Sequence, residues 1–179
     1  MFKSKLKESP TLVDKDHIKN FFYSDELKLQ CRLSTWKENG VNKIPLHVWL
    51  GNKIMSSKLK KEQKILDIGC GTGLLLQHIN NYSKNRIYGV DISSKMVEVT
   101  RKKLSTRMKK NVCVGDIGKL HFPDNFFDHV VASHVLQHVS NIKEALQEMK
   151  RVVKFGGKIW ITTSDYKLSK GLNAIHYSA

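Results

Sequence analysis

Long apolar runs, cysteine and acidic residues are all scarce in this chain of 179 residues. No run approaches the ~20 apolar residues that a membrane-spanning helix requires, so no span is expected. The three cysteines, Cys31, Cys70 and Cys113, are odd in number and scattered. They argue against a disulfide framework and for a reducing, cytoplasmic setting. The first residues, Met1-Phe2-Lys3-Ser4-Lys5-Leu6-Lys7, carry lysines but lack the apolar core of a secretory leader. Acids number 16 against 31 Lys and Arg, for a net charge of +15. Such an excess suits a nucleic-acid partner. It is spread through residues 3–7, 58–64, 101–110 and the C-terminal lysines, with no arginine-rich tract and no basic run interleaved with aromatics. It therefore also reads as a lysine-rich solvated surface.

What remains is ordinary globular composition, 40% hydrophobic and 26% charged. A chain of this length buries roughly 70% of its unfolded surface and needs no disulfide or metal staple. Residues 1–15 read as a mobile basic arm. Residues 16–60 read as an N-terminal helical segment: Ile18 and Phe22 share one face, and Leu29, Leu33 and Trp36 another. Glu38-Asn39-Gly40 is a stop signal, after which Pro45 suits a first helical position and Leu46, Trp49, Leu50 and Ile54 form a stripe. This segment is expected to pack across the edge of the site, as one compact domain with residues 61–179.

From Lys64 onward strands and helices alternate. Strands are predicted at 64–68, 86–90, 111–114, 127–132 and 158–163. A helix is predicted near 73–81, another capped by Ser93 with Met96, Val97, Thr100 and Leu104 on its inner face, and a third capped by Asn141. The third should bury Ile142, Ala145, Leu146, Met149 and Val153. Gly156-Gly157 is expected to turn the chain into the fifth strand. This alternation predicts an α/β domain, a three-layer doubly wound parallel sheet with ligands at the strand C-terminal ends, where strand order reverses.

The most informative stretch is Ile65-Leu66-Asp67-Ile68-Gly69-Cys70-Gly71-Thr72-Gly73-Leu74-Leu75. An apolar strand ending near an acid runs into three glycines at alternate positions, and a leucine run then opens a helix. Glycine lets the backbone turn sharply and approach a ligand, and the helix N-terminus adds unpaired N–H groups. The dinucleotide fingerprint Gly-x-Gly-x-x-Gly is not met, because Leu74 stands where its third glycine belongs. At the tip of the next strand Asp91, 18 residues after Gly73, is placed to accept hydrogen bonds from both hydroxyls of a ribose. A turn or helix-cap aspartate is the alternative for Asp91.

This segment resembles motif I of the class I S-adenosylmethionine (SAM)-dependent methyltransferases, in particular the small-molecule branch that includes quinone C-methyltransferase-like enzymes. The resemblance covers residues 64–165 and, more loosely, extends back to residue 27. It implies that Asp67, Gly69, Cys70, Gly71, Thr72 and Gly73 shape the methionine and ribose side of a SAM site. Asp91 then holds the ribose. Ile92 covers one adenine face with Met96 close behind, and Asp116 and Ile117, in Val114-Gly115-Asp116-Ile117, hold the adenine edge. Ser133 and His134 match the loop whose carbonyls meet the methionine ammonium. S-adenosylhomocysteine would be the product. Without the resemblance, Asp116 reads as a turn residue.

No catalytic residue is legible, since methyl transfer from a sulfonium needs alignment more than a base. His138, in Leu136-x-His138-Val139, is a pocket-wall residue with general-base chemistry as its alternative. His134 and His138 lie four apart, but Val135 stands where a zincin pattern needs Glu, so no metal is assigned. The loop Ala132-Ser133-His134-Val135 lacks the Asn/Asp-Pro-Pro-Tyr of DNA and many RNA amino-methyltransferases, and no proline precedes a cysteine. The expected function is methylation of a small molecule. The alternatives are a catalytically inactive SAM-binding or regulatory protein, an RNA methyltransferase and, more distantly, an NAD-dependent oxidoreductase. The family's sheet has seven strands, and the residues after Asp165 cannot hold two more strands and a helix. A C-terminally truncated fold is therefore expected, with its fifth strand left as an edge: the sequence is a fragment, the product is naturally short, or a partner chain covers that edge.

Overall fold

The computed structural model describes residues 44–57, 62–82, 86–164 and 172–178. The basic arm, the face patterns around Ile18 and Trp36 and the stop signal at Gly40 lie outside the described residues. The elements in order are α1 (Leu46–Ser56), β1 (Lys64–Ile68), α2 (Leu74–Tyr82), β2 (Arg86–Asp91), α3 (Ser94–Lys103), α4 (Thr106–Lys109), β3 (Val112–Val114), β4 (Phe127–Ser133), a 3-10 turn (Leu136–His138), α5 (Ile142–Val152), β5 (Val153–Ser164) and β6 (Leu172–Ser178).

One six-stranded sheet runs in the order β3-β2-β1-β4-β5-β6. Its first five strands are parallel, and β6 is antiparallel to β5. Strand order reverses between β1 and β4, so their C-terminal ends diverge to opposite connections and leave a crevice.

Period-2 alternation builds two core layers. From β1, Ile65 packs with Leu50 and Ile54 of α1 and Leu76 and Ile79 of α2. Leu66 and Ile68 point the other way, with Val130 and Ala132 of β4 and Ala145, Met149 and Val152 of α5. A ring cluster closes the second layer: Phe127 lies edge-on to Tyr88, Phe122 and Phe126, with centroids 4.9–5.2 Å away. The loop after β3 is tied to α5 by Arg151. Its guanidinium donates to Glu148, to Asp124 and to the carbonyls of Phe122 and Leu120.

Several local expectations are corrected. Pro45 sits one residue ahead of α1 rather than inside it. On α5 the buried line is Ala145, Met149 and Val152, whereas Ile142 and Leu146 are 48% and 40% exposed. Those two side chains sit at the margin of the apolar stripe, beyond the reach of the sheet. Gly156 and Gly157 do not precede β5. They lie within it, where the pairing with β4 shifts between Phe127 and His129 and Gly156 takes φ +73°. The chain bulges there and the strand continues on both sides. The fifth strand is not an open edge either. Residues 172–178 pair along it from Ser164↔Leu172 to Lys158↔Ser178, so within the described residues the chain itself covers that side of the fifth strand. Space after Asp165 that excludes two strands still admits one. Among the described residues no helix is long and apolar enough to cross a membrane.

Phe127 is fully enclosed, so Phe127→Ala should cost about 3–5 kcal/mol in denaturant unfolding. Leu146→Ala should stay within about 0.5 kcal/mol of the parent. A cost at Leu146 comparable to that at Phe127 would contradict the packing of α5.

Candidate functional site

The turn after β1 is built from backbone conformations that side chains oppose. Gly69, Gly71 and Gly73 take φ of +68°, +53° and +77°. Space demands glycine as well: a Cβ on Gly69 would run into Val135 Cγ2, and one on Gly73 would come within 2.8 Å of Thr100 Cγ2. The turn is anchored to β2 by Gly69 N–H and Cys70 N–H, which both donate to the Val90 carbonyl at 2.7 and 3.0 Å. Thr100, on α3, donates its hydroxyl to the Gly71 carbonyl at 2.6 Å. The α3 helix therefore braces the turn from behind. Ser93 caps that helix by accepting from Met96 N–H.

Asp91 joins these pieces. Its Oδ2 accepts from Gly71 N–H and its Oδ1 from Ser93 N–H, both at 2.8 Å. Burial raises its pKa, and these two amides pull it back down. Asp67 is also buried, and burial together with the charge on Asp91 pushes it up to about 8. Cys70 lies beside both acids. Burial, then Asp67 and Asp91, push its thiol well above its ordinary value, so it is an inert proton-bearing group and not a nucleophile.

A cleft opens over this floor. Asp67, Gly69, Cys70, Gly71, Thr72 and Ser133 line it, together with His47 and Leu50 of α1. Burial, then the neighbouring His78, lower the pKa of His47, so its imidazole is neutral near pH 7. Ser133 Oγ lies 2.8 Å from Thr162 Oγ1, joining the ends of β4 and β5. His134 follows in a left-handed conformation, φ +56°, with its N–H on the Thr162 carbonyl. Burial, then His138, lower its pKa.

Of the sequence candidates, Gly73, Asp91, His134, Ile92, Met96, Asp116 and Ile117 are not among the residues that line this cleft. Ile92 is half-buried just past Asp91, and Met96 is fully enclosed behind it. Asp116 closes its own turn by accepting from Gly118 N–H at 2.9 Å, and Ile117 is buried in the second core layer. His138 ends the 3-10 turn, half-buried. Among the described residues no group of three or more His, Cys, Asp or Glu converges as a metal site. Sequence reasoning assigned no site role to His47, Thr100 or Thr162. Thr100 and Leu50 carried a signal only as members of helical stripes, and the other two carried none.

A doubly wound sheet with a glycine turn at its switch point and a braced acid on the adjacent strand defines the class: a Rossmann-like nucleoside-binding fold. Residues 66–161 match the family described as Methyltransferase domain, and the chain belongs to that family. The chain is similar to the ubiquinone/menaquinone biosynthesis C-methyltransferase UbiE of Coxiella burnetii, at 32% identity over 158 residues, covering 85% of this chain and 61% of that protein. It is also 30% identical over 135 residues to the demethylmenaquinone methyltransferase of a Geobacillus strain, covering 72% of this chain and 57% of that one. Among solved structures, phosphoethanolamine N-methyltransferase 2 of Haemonchus contortus, in complex with S-adenosyl-L-methionine, shares the fold. Its TM-score is 0.68 at 22% identity, covering 85% of this chain and 36% of that one. The chain thus spans about 57–61% of the length of the two curated relatives.

Asp67 keeps its proton in the native state up to about pH 8, whereas an unfolded carboxyl releases it near 3.8. Between those values the folded state binds more protons, so stability falls as pH rises through the window. Asp67→Asn, neutral throughout, should flatten that decline in thermal unfolding. A slope identical to the parent's would assign the titration to other groups.

Proposed function

We propose that this chain binds SAM in the cleft at the C-terminal ends of β1, β2 and β4 and transfers its methyl group to a small-molecule acceptor. The observation that carries the reading is the pair of buried acids on the floor of a glycine turn. Burial raises both carboxyl pKa values, so a cation, which stabilises their charged forms, binds beside them better than an anion, which destabilises those forms further. A dinucleotide would bring its pyrophosphate to this turn, against Asp67. A sulfonium nucleoside with an ammonium group brings positive charge instead. Family membership and the quinone methyltransferase relatives support the same cofactor and acceptor class.

When bound, SAM supplies an electrophilic methyl on a sulfonium leaving group. The protein's task is then to hold two reactants in line and dry. The turn amides and Asp67 would take the methionine side. Asp91 would take the ribose with the lone pairs left on each oxygen after the Gly71 and Ser93 bonds. Ile92 would cover an adenine face, with Met96 packed beneath it. Asp116 and the Ile117 amide would take the adenine edge, and Ser133 and His134 would present carbonyls to the ammonium. His47, neutral and on the cleft wall, is the group best placed to meet an acceptor entering over α1. The buried, protonated thiol of Cys70 and the unpaired spacing of the cysteines support a reducing, cytoplasmic setting.

Calorimetry should show heat with SAM and none with NAD, and the reverse would end this reading. Asp91→Ala should weaken SAM by about 1.5–3 kcal/mol through loss of charged hydrogen bonds. An unchanged affinity would remove Asp91 from the site. Incubation with methyl-labelled SAM and a cell extract should yield a labelled small molecule identified by mass. Label found only in macromolecules would overturn the acceptor class.

A further inference from the structure

Residues 94–110 carry seven basic side chains, Lys95, Arg101, Lys102, Lys103, Arg107, Lys109 and Lys110, against one acid, Glu98. All seven are exposed on α3, on α4 and just beyond it. Glu98 already pairs with Lys102 at 2.8 Å. The cations at 101–103 sit in the last turn of α3, where they offset the helix dipole. That need does not account for Lys95 at the other end of α3. Nor does it account for Arg107, Lys109 and Lys110, which belong to a four-residue helix with little dipole to offset.

The apolar side chains of the same segment turn inward. Met96, Val97, Val99, Leu104 and Met108 are all buried. Arg101 pins the pair of helices to the sheet by donating twice to the Val112 carbonyl, at 3.0 and 2.6 Å. Because β3 is the edge strand, the charged face occupies one flank of the molecule. It is a fixed ionic surface without an apolar wedge to enter a bilayer and without an aromatic ring to stack on a base. A duplex backbone asks for neither: it presents closely spaced phosphates that lysine and arginine neutralise with release of counterions.

We propose that α3 and α4 form a docking surface for the phosphodiester backbone of a double-stranded nucleic acid, held by charge without base readout. This surface is separate from the cleft and does not rest on the methyl-transfer reading.

The test is fluorescence anisotropy of the full chain with a labelled duplex of ~20 base pairs, as RNA and as DNA, across a salt series. Binding should weaken steeply and linearly in log salt. R107Q/K109Q/K110Q, with glutamine chosen as a good helix former, should reduce the magnitude of that slope by about three. R107K/K109R/K110R should retain parent affinity. K53Q/K143Q/K150Q removes equal charge from α1 and α5 and should leave affinity within about twofold of the parent. A preference for RNA or DNA would identify the source of the backbone. Absence of duplex binding at low salt, equal losses in the two glutamine variants, or retention by anionic vesicles without duplex binding would overturn the proposal.

Discussion

Two backbone amides meet the carboxylate of Asp91, one from the middle of the glycine turn and one from the start of α3. Two segments twenty residues apart in sequence are joined by that contact. Gly71 N–H lies where the chain leaves β1, and Ser93 N–H lies at the start of α3. A single buried acid satisfies both. Burying the acid opposes ionisation, and the two amides are what hold it toward the charged form. The Thr100 hydroxyl on the Gly71 carbonyl completes the loop from α3 back to the turn. The positive φ values of the glycines are tolerable because this bracing and the Val90 carbonyl specify them.

The electrostatics of the cleft follow from the same arrangement. Asp67 lies on the floor beneath the turn, where burial and then the charge on Asp91 oppose its ionisation. Burial and then the two acids oppose ionisation of the Cys70 thiol. The flank formed by α3 and α4 has the opposite character. Its cations are exposed and screened, so it works by number and spacing, where the cleft works by burial. One helix thus serves both regions: Ser93 and Thr100 face the turn while 101–103 face solvent.

Most of the sheet was legible because β1, β2 and β4 are short apolar runs bounded by turn residues, and parallel strands buried on both faces must look so. Ser93 and Asn141 were legible as caps because their side chains meet amides two or three residues on, a purely local event. The glycine pair at 156–157 misled for a related reason. Glycine signals a departure from regular backbone, and a turn and a bulge share that signal until the partner strand is known. Ile142 and Leu146 misled because periodicity reports a face and not how much of that face its neighbour covers. The pairing of 172–178 on β5 was missed because the count of remaining residues was set against two strands when the edge needs one.

The sequence by itself determined the turn, its two acids and the alternation that makes the sheet parallel, because each rests on contacts within a few residues or on a steric rule that only glycine escapes. Tertiary structure decided which groups share the cleft. His47 and Leu50 reach it only because α1 packs on α2, and Ser133 on its wall meets Thr162 only because β5 lies beside β4. It also decided which face the basic run of α3 and α4 presents, since the two helices had to bury their apolar side chains against an edge strand before the charges lay on one flank. Such proximities are set by packing over the whole domain, and no local pattern encodes them.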